Sequence, residues 1–138
     1  MRLVLDTNIL IAALIKDSIT RRILLLPDFE FLLPAFALDE LATHRNKIVR
    51  ATRLKGDELD VLLTLLLTSV TVVPFERLAP YLAEADALIG AIDPNDVPFV
   101  AVALAEEHEG IWSNDRAFER LPGIQCWTTT RLKIHLGL

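Results

Sequence analysis

The chain has 138 residues, 52% apolar and 24% charged, with a formal charge of −5. That length predicts one domain, 1–138, able to bury its own core without staples. A mean hydropathy of +0.39 with 5 Gly and 7 Pro excludes a disordered chain, and the acidic balance excludes a general nucleic-acid-coating protein.

The uncharged stretch Val61 to Phe75 falls short of the roughly 18–20 residues a membrane span requires, so no membrane association is expected. Asp6 interrupts the N-terminus too early for a signal peptide. The lone Cys126 allows no internal disulfide. A cytoplasmic location is the expectation.

In chain order, Arg2–Asp6 reads as a short apolar strand running into a helix at Asn8–Ile15. Ser18 has the chemistry of an N-cap for Ile19–Leu26. Phe29–Leu33 is the second strand, stopped by Pro34, and helical periodicity runs from Phe36 to Thr52. Gly56-Asp57 opens a helix with a narrow polar stripe at Asp57, Asp60, Thr64 and Thr68. Val70–Val73, β-branched and closed by Pro74, is the third strand. Arg77–Leu88 is helical up to Gly90, and Asn95 can cap a helix reaching Glu107, with Pro98 tolerated in its first turn. Ile111–Ser113 is a short strand, Arg116–Leu121 a short helix, Ile124–Trp127 a last strand and Thr129–Leu136 a terminal helix. Strands alternating with helices predict an α/β fold, a three-layer sandwich whose central, mostly parallel sheet is flanked by helices.

In such sheets chemistry collects at the carboxyl ends of the strands. Asp6-Thr7-Asn8 follows the first strand, Asp39-Glu40 lies on the helix after the second, and Ser113-Asn114-Asp115 follows the fourth. Asp93-Pro94-Asn95-Asp96 opens a helix. Singly, each acid has an ordinary explanation: Asp6 and Asp115 as N-caps, Asp96 as a first-turn acid, Glu40 as a solvated helix residue. Together they converge only if the sheet is parallel. Clustered carboxylates repel unless a cation lies between them, and hard divalent ions, Mg²⁺ or Mn²⁺, suit oxygen ligands. His44, His108 and His135 show no zinc spacing. Acid clusters around Mg²⁺ carry out phosphoryl chemistry, activating water and stabilising charge on the phosphate. An aspartyl-phosphate nucleophile at Asp6 would need a second Asp where Asn8 stands.

These residues resemble the PIN domain (PilT N-terminus) nuclease family. The resemblance rests on Leu5-Asp6-Thr7-Asn8, on Glu40-Leu41 beyond Pro34, on Asp96 followed by Ala101, Ala103 and Leu104, and on Trp112 through Phe118. It covers essentially the whole chain. It implies a metal-dependent endoribonuclease hydrolysing RNA phosphodiesters with metal-activated water, in many cases the VapC-like toxin of a type II toxin–antitoxin pair. Carried over residue by residue, it places Asp6, Glu40, Asp96 and Asp115 on Mg²⁺ or Mn²⁺ as catalytic ligands, supported by Thr7, Asn8 and Ser113. One departure stands out: many members carry an Asp where this chain has Ala117. Asp93 is the residue placed to restore that charge.

Five basic residues and no acid lie between Arg45 and Lys55. Lys47, Arg50 and Arg53 share one helical face, either a solvated face or a contact for the RNA backbone. The helix after Gly56 is apolar almost all round, a surplus that suggests a covering partner, a homodimer mate or an antitoxin protein; deep burial within the monomer is the other reading. Two rival functions remain. One is a catalytically degenerate PIN domain that binds RNA or protein without cutting, suggested by Ala117. The other is a receiver-like signalling module, disfavoured by the lack of an acid pair at the first strand and of an Asp at Val73-Pro74.

Overall fold

The computed structural model describes residues 1–138. Five strands form one sheet: β1 Arg2–Leu5, β2 Glu30–Pro34, β3 Val70–Val73, β4 Ile111–Trp112 and β5 Cys126–Trp127, in the order β3-β2-β1-β4-β5. Every pairing is parallel. The central strands β1 and β2 carry Leu3, Val4, Leu5, Phe31, Leu32 and Leu33, none with any exposure. Such continuous apolar runs are what strands covered on both faces require. At the β3 edge, Thr71 and Val72 are exposed, as befits a strand paired on one side.

Helices α2 (Ile19–Leu24), α3 (Ala35–Thr43), α4 (Arg45–Ala51) and α5 (Gly56–Leu66) pack around α1 (Thr7–Ile15). The short helices α6 (Phe75–Leu78) and α7 (Leu82–Ala85) pack on α8 (Val97–Ala105), which lies against β1 and β2. Helix α9 (Thr129–Leu136) is closed by Gly137, whose φ of 70° is left-handed. The architecture is thus the expected three-layer α/β sandwich. Its core is one cluster of 33 buried residues, with Trp112, Phe31, Phe99 and Phe118 the largest side chains in it. Gly110, just before β4, has φ 138°, and an added Cβ there would lie 2.6 Å from the Gln125 carbonyl oxygen. Only glycine allows β4 and the approach to β5 to run this close.

Two expected helices are divided and two expected caps differ. The helix foreseen over Phe36–Thr52 is two helices, broken at His44 (φ −96°, ψ 6°). Arg45, Lys47 and Arg50 therefore lie on α4 and Glu40 on α3, while Arg53, expected on the same helical face, falls in the bend after Ala51. The helix foreseen over Arg77–Leu88 is divided into α6, a 3₁₀ turn at Ala79–Tyr81, α7 and a π turn at Asp86–Gly90; Pro80 lacks the N–H that a continuous helix would use. Ser18 makes no side-chain cap, and the cap before α8's approach is Asp93 rather than Asn95.

The chain leaves β1 toward β2 and β3 and returns on β1's other side with β4. That reversal opens a crevice at the carboxyl ends of β1 and β4, the usual place for a ligand in an open parallel sheet.

Candidate metal centre

Register fixes the base of the crevice. Leu5 pairs with Trp112, and the Asp6 N–H donates to the Trp112 carbonyl at 3.2 Å. The next residues, Asp6 and Ser113, therefore meet: the Ser113 hydroxyl donates to Asp6 Oδ2 at 2.6 Å. Asp6 Oδ1 accepts the Asn8 N–H at 3.3 Å, capping α1. Ser113 Oγ also accepts the Asp115 N–H at 3.0 Å, so one fully buried hydroxyl ties the ends of two strands together.

Glu40 reaches the same crevice from α3. The buried Thr7 hydroxyl donates to its Oε1 at 2.9 Å. Asp39, its neighbour, is exposed, as the 100° step along a helix predicts.

A second wall is formed by Asp93, Asp96 and Asp115, one carboxylate oxygen of each lying within 4.8 Å of the others. Asp93 caps a 3₁₀ turn over Pro94–Asp96, its Oδ1 accepting the Asn95 N–H at 2.9 Å. In 3₁₀ geometry positions i and i+3 nearly eclipse, which brings Asp93 and Asp96 side by side. Asp115 accepts the Ala117 N–H at 2.9 Å. Asp96 is only 8% exposed and its Oδ2 is buried with no hydrogen-bond partner.

Electrostatics follow from this crowding. Burial, then the charges of Asp93, Asp115, Asp6 and Glu40, pushes the Asp96 carboxyl up to about 7. Burial also raises Asp6, against the lowering effect of its bonds from Ser113 and Asn8. Burial raises Glu40, against the Thr7 hydroxyl. A buried carboxylate oxygen without a donor, ringed by four more acids, is costly as an apo arrangement. An all-oxygen donor set of this kind fits a hard divalent cation.

The crevice thus gathers Asp6, Glu40, Asp96 and Asp115 with Thr7, Asn8, Asp93 and Ser113. The tightest group includes Asp93, which the sequence ranked as an auxiliary, and excludes Asp6 and Glu40. The readable signal was Asp-Pro-Asn-Asp, a turn that places its first and fourth residues together. Asn8 supports Asp6 through its backbone, leaving its side-chain amide without a hydrogen bond to the protein. Lys47 and His44 line a cleft with Thr7, Asn8 and Glu40. Arg50 and Arg53 are exposed and paired with no carboxylate. Arg45, by contrast, is bound to Asp60 and to the Gly56 carbonyl. Cys126 is buried against the Ser113 carbonyl and behaves as core. No helix is long and apolar enough to cross a membrane.

Comparison with known proteins agrees with this architecture. A PIN-domain family model matches residues 4–137. A chain in the crystal structure of VapBC2 from Rickettsia felis, bound to a DNA fragment from its promoter, superposes with a TM-score of 0.69 at 20% identity, over 93% of this chain and 98% of that one. No curated protein matches the sequence. With the family model matching almost from end to end and the acids gathered at the β1–β4 crevice, the chain belongs to the PIN-domain family.

Proposed function

We propose that the protein is a Mg²⁺- or Mn²⁺-dependent endoribonuclease, with 1–138 acting as a single nuclease domain. The observation that carries this reading is the buried, donor-less Oδ2 of Asp96 inside a cluster of acids at the sheet's switch point. Asp96, Asp115 and Asp93 would hold the cation, with Asp6 and Glu40 completing the acidic rim. Bound there, the cation would supply water activation and charge stabilisation at the scissile phosphate. The chain's own part is to hold the acids ready. Ser113 and Asn8 fix both oxygens of Asp6, and Thr7 fixes Glu40, as outer partners do in metal sites. Lys47 and Arg50 on α4, with Arg53 in the bend just after it, offer positive charge to the RNA backbone.

The likeness in fold to a VapBC2 chain supports a toxin paired with an antitoxin, and a cytoplasmic location belongs to the same reading. The partner surface is α5, where Val61 (63% exposed) and Leu65 (54%) leave an apolar face open. A second copy or an antitoxin would cover this face. On the helix's other side, Leu59 and Leu63 line an apolar cavity of about 200 Å³ with Leu14 and Leu41.

Cleavage of single-stranded and structured RNA, titrated with Mg²⁺ and Mn²⁺, tests the proposal. Metal-dependent cutting that EDTA and Asp96→Asn both abolish is expected; full activity in excess EDTA overturns it. Ala117 favours the rival reading of a degenerate domain, which requires RNA binding without turnover at every metal concentration. Asp93, already inside the acid trio, argues for turnover.

A further inference from the structure

Beside the acid cluster, between α1 and α4, lies a second cleft of about 340 Å³. Its floor includes the hydrogen-bonded pair Thr7 and Glu40. Its wall is aliphatic, formed by Ile11, Ile15 and Ile48, and its rim carries Asn8 and Lys47. Two features of this lining are unusual for a surface left to water. Ile15, a large aliphatic side chain, stands 41% exposed in the cleft. The Asn8 side chain is exposed and makes no hydrogen bond to the protein, its structural duty being discharged by its backbone N–H.

We infer that this cleft is a nucleotide-base subsite of the nuclease, in which one RNA base lies against Ile11 and Ile15, Asn8 reads its edge and Lys47 faces its phosphate. The inference rests on the nuclease reading above, and it names where the nucleotide next to the metal centre is held. A base is apolar on its faces and polar at its edges, matching an aliphatic wall with one amide at the rim. Unstacked bases in single-stranded RNA are recognised in this way, by contact with the face and hydrogen bonds at the edge. A primary amide carries a donor and an acceptor side by side, the pattern that pairs in bidentate fashion with adenine. One lysine supplies one positive charge, enough for one phosphate. The volume lies at the small end of ligand pockets, roughly 300–1,000 Å³, a size that suits one nucleotide. Glu40 joins the two sites, since it borders the cleft and adds to the field at Asp96.

The test uses the full chain labelled with ¹⁵N and titrated with adenosine, guanosine, cytidine and uridine 5′-monophosphates, with ribose 5-phosphate as the base-free control. Mononucleotides are expected to shift the amide signals of Asn8, Ile15 and Lys47 in a saturable way, with ribose 5-phosphate at least about tenfold weaker. Ile15→Asp, at an already exposed position, should weaken all four nucleotides about tenfold or more. Asn8→Ala should flatten the ranking among bases, and Lys47→Ala should weaken nucleotides and ribose 5-phosphate alike. Equal binding of ribose 5-phosphate, shifts confined to other surfaces, or a base ranking unchanged in Asn8→Ala overturns the subsite. No shift from any mononucleotide also overturns it and leaves the cleft to a protein partner. The same preparation is assayed for RNA cleavage. Cleavage without mononucleotide binding removes the subsite and keeps the nuclease; binding at these residues without cleavage in any divalent metal keeps the nucleotide site and removes the nuclease.

Discussion

On one side of the acidic crevice, Asp6 and Glu40 rest on hydroxyls supplied by the fold, Ser113 and Thr7. On the other, Asp96 presents a buried oxygen with no donor, and its companions Asp93 and Asp115 each accept one backbone N–H within their own turns. All of these groups are acids in one field, yet they are held by different means. Hydroxyl donors offset part of the burial cost at Asp6 and Glu40. Every charge acting on Asp96 raises its carboxyl further. The first wall is therefore positioned by the protein itself, and the second is left for a cation to complete. Preorganisation and affinity are divided between two sides of one site.

The strongest break of this contrast is Asp96→Asn. RNA cleavage should fall by more than about 100-fold, the scale on which losing one stabilising group at a reacting centre costs rate. The metal-free variant should nonetheless melt higher than the wild type, because a crowded charge is gone. A lower melting temperature would show that Asp96 is satisfied in the apo fold after all.

On the other wall, Thr7→Val keeps the side chain's shape and removes the donor to Glu40. Metal affinity measured by calorimetry should fall about 10–100-fold. Ser113→Ala deprives both Asp6 and the Asp115 N–H, and should also cost about 1–3 kcal/mol in urea unfolding. A metal affinity unmoved by either change would erase the distinction between the two walls.

The pH dependence sharpens it. Asp96 has its carboxyl raised from 3.8 to about 7, so between those values the folded chain keeps a proton that the unfolded chain has released. Stability of the metal-free protein should thus decline as pH rises from about 4 to about 7. Saturating Mg²⁺ should raise the melting temperature more at pH 8 than at pH 5, where the ion competes with protons. An equal gain at both values would place the ion away from Asp96.

The smallest effect concerns the approach to the Glu40 wall. Lys47→Ala should lower the slope of log affinity against log salt for single-stranded RNA by about 0.7, one phosphate contact. Filter binding on Asp96→Asn, whose cleavage should be more than about 100-fold slower, reads this directly. Arg45→Ala should leave the slope unchanged, since Arg45 is already spent on Asp60.

Much of this was legible beforehand, for identifiable reasons. Leu3-Val4-Leu5 before Asp6 and Val70–Val73 before Pro74 declare strands through local pattern alone, and the alternation with helices implies a parallel sheet. Proline and backbone competition were harder to weigh. Helical periodicity runs unbroken through His44, where the chain nevertheless turns from α3 into α4. The apolar surplus of α5 announced itself in composition, yet only packing separates buried Leu59 and Leu66 from exposed Val61 and Leu65.

By itself, then, the sequence determined the parallel α/β architecture, the acids that follow its strands and the resemblance to PIN nucleases, since period, turn chemistry and residue order are written between near neighbours. The tertiary structure alone decided which acids share a wall. Leu5 opposite Trp112 brings Asp6 to Ser113 across 107 positions, and a 3₁₀ turn draws Asp93 into the trio ahead of Asp6 and Glu40. Distances between carboxylates far apart in the chain depend on sheet register and helix packing, and no local pattern encodes them.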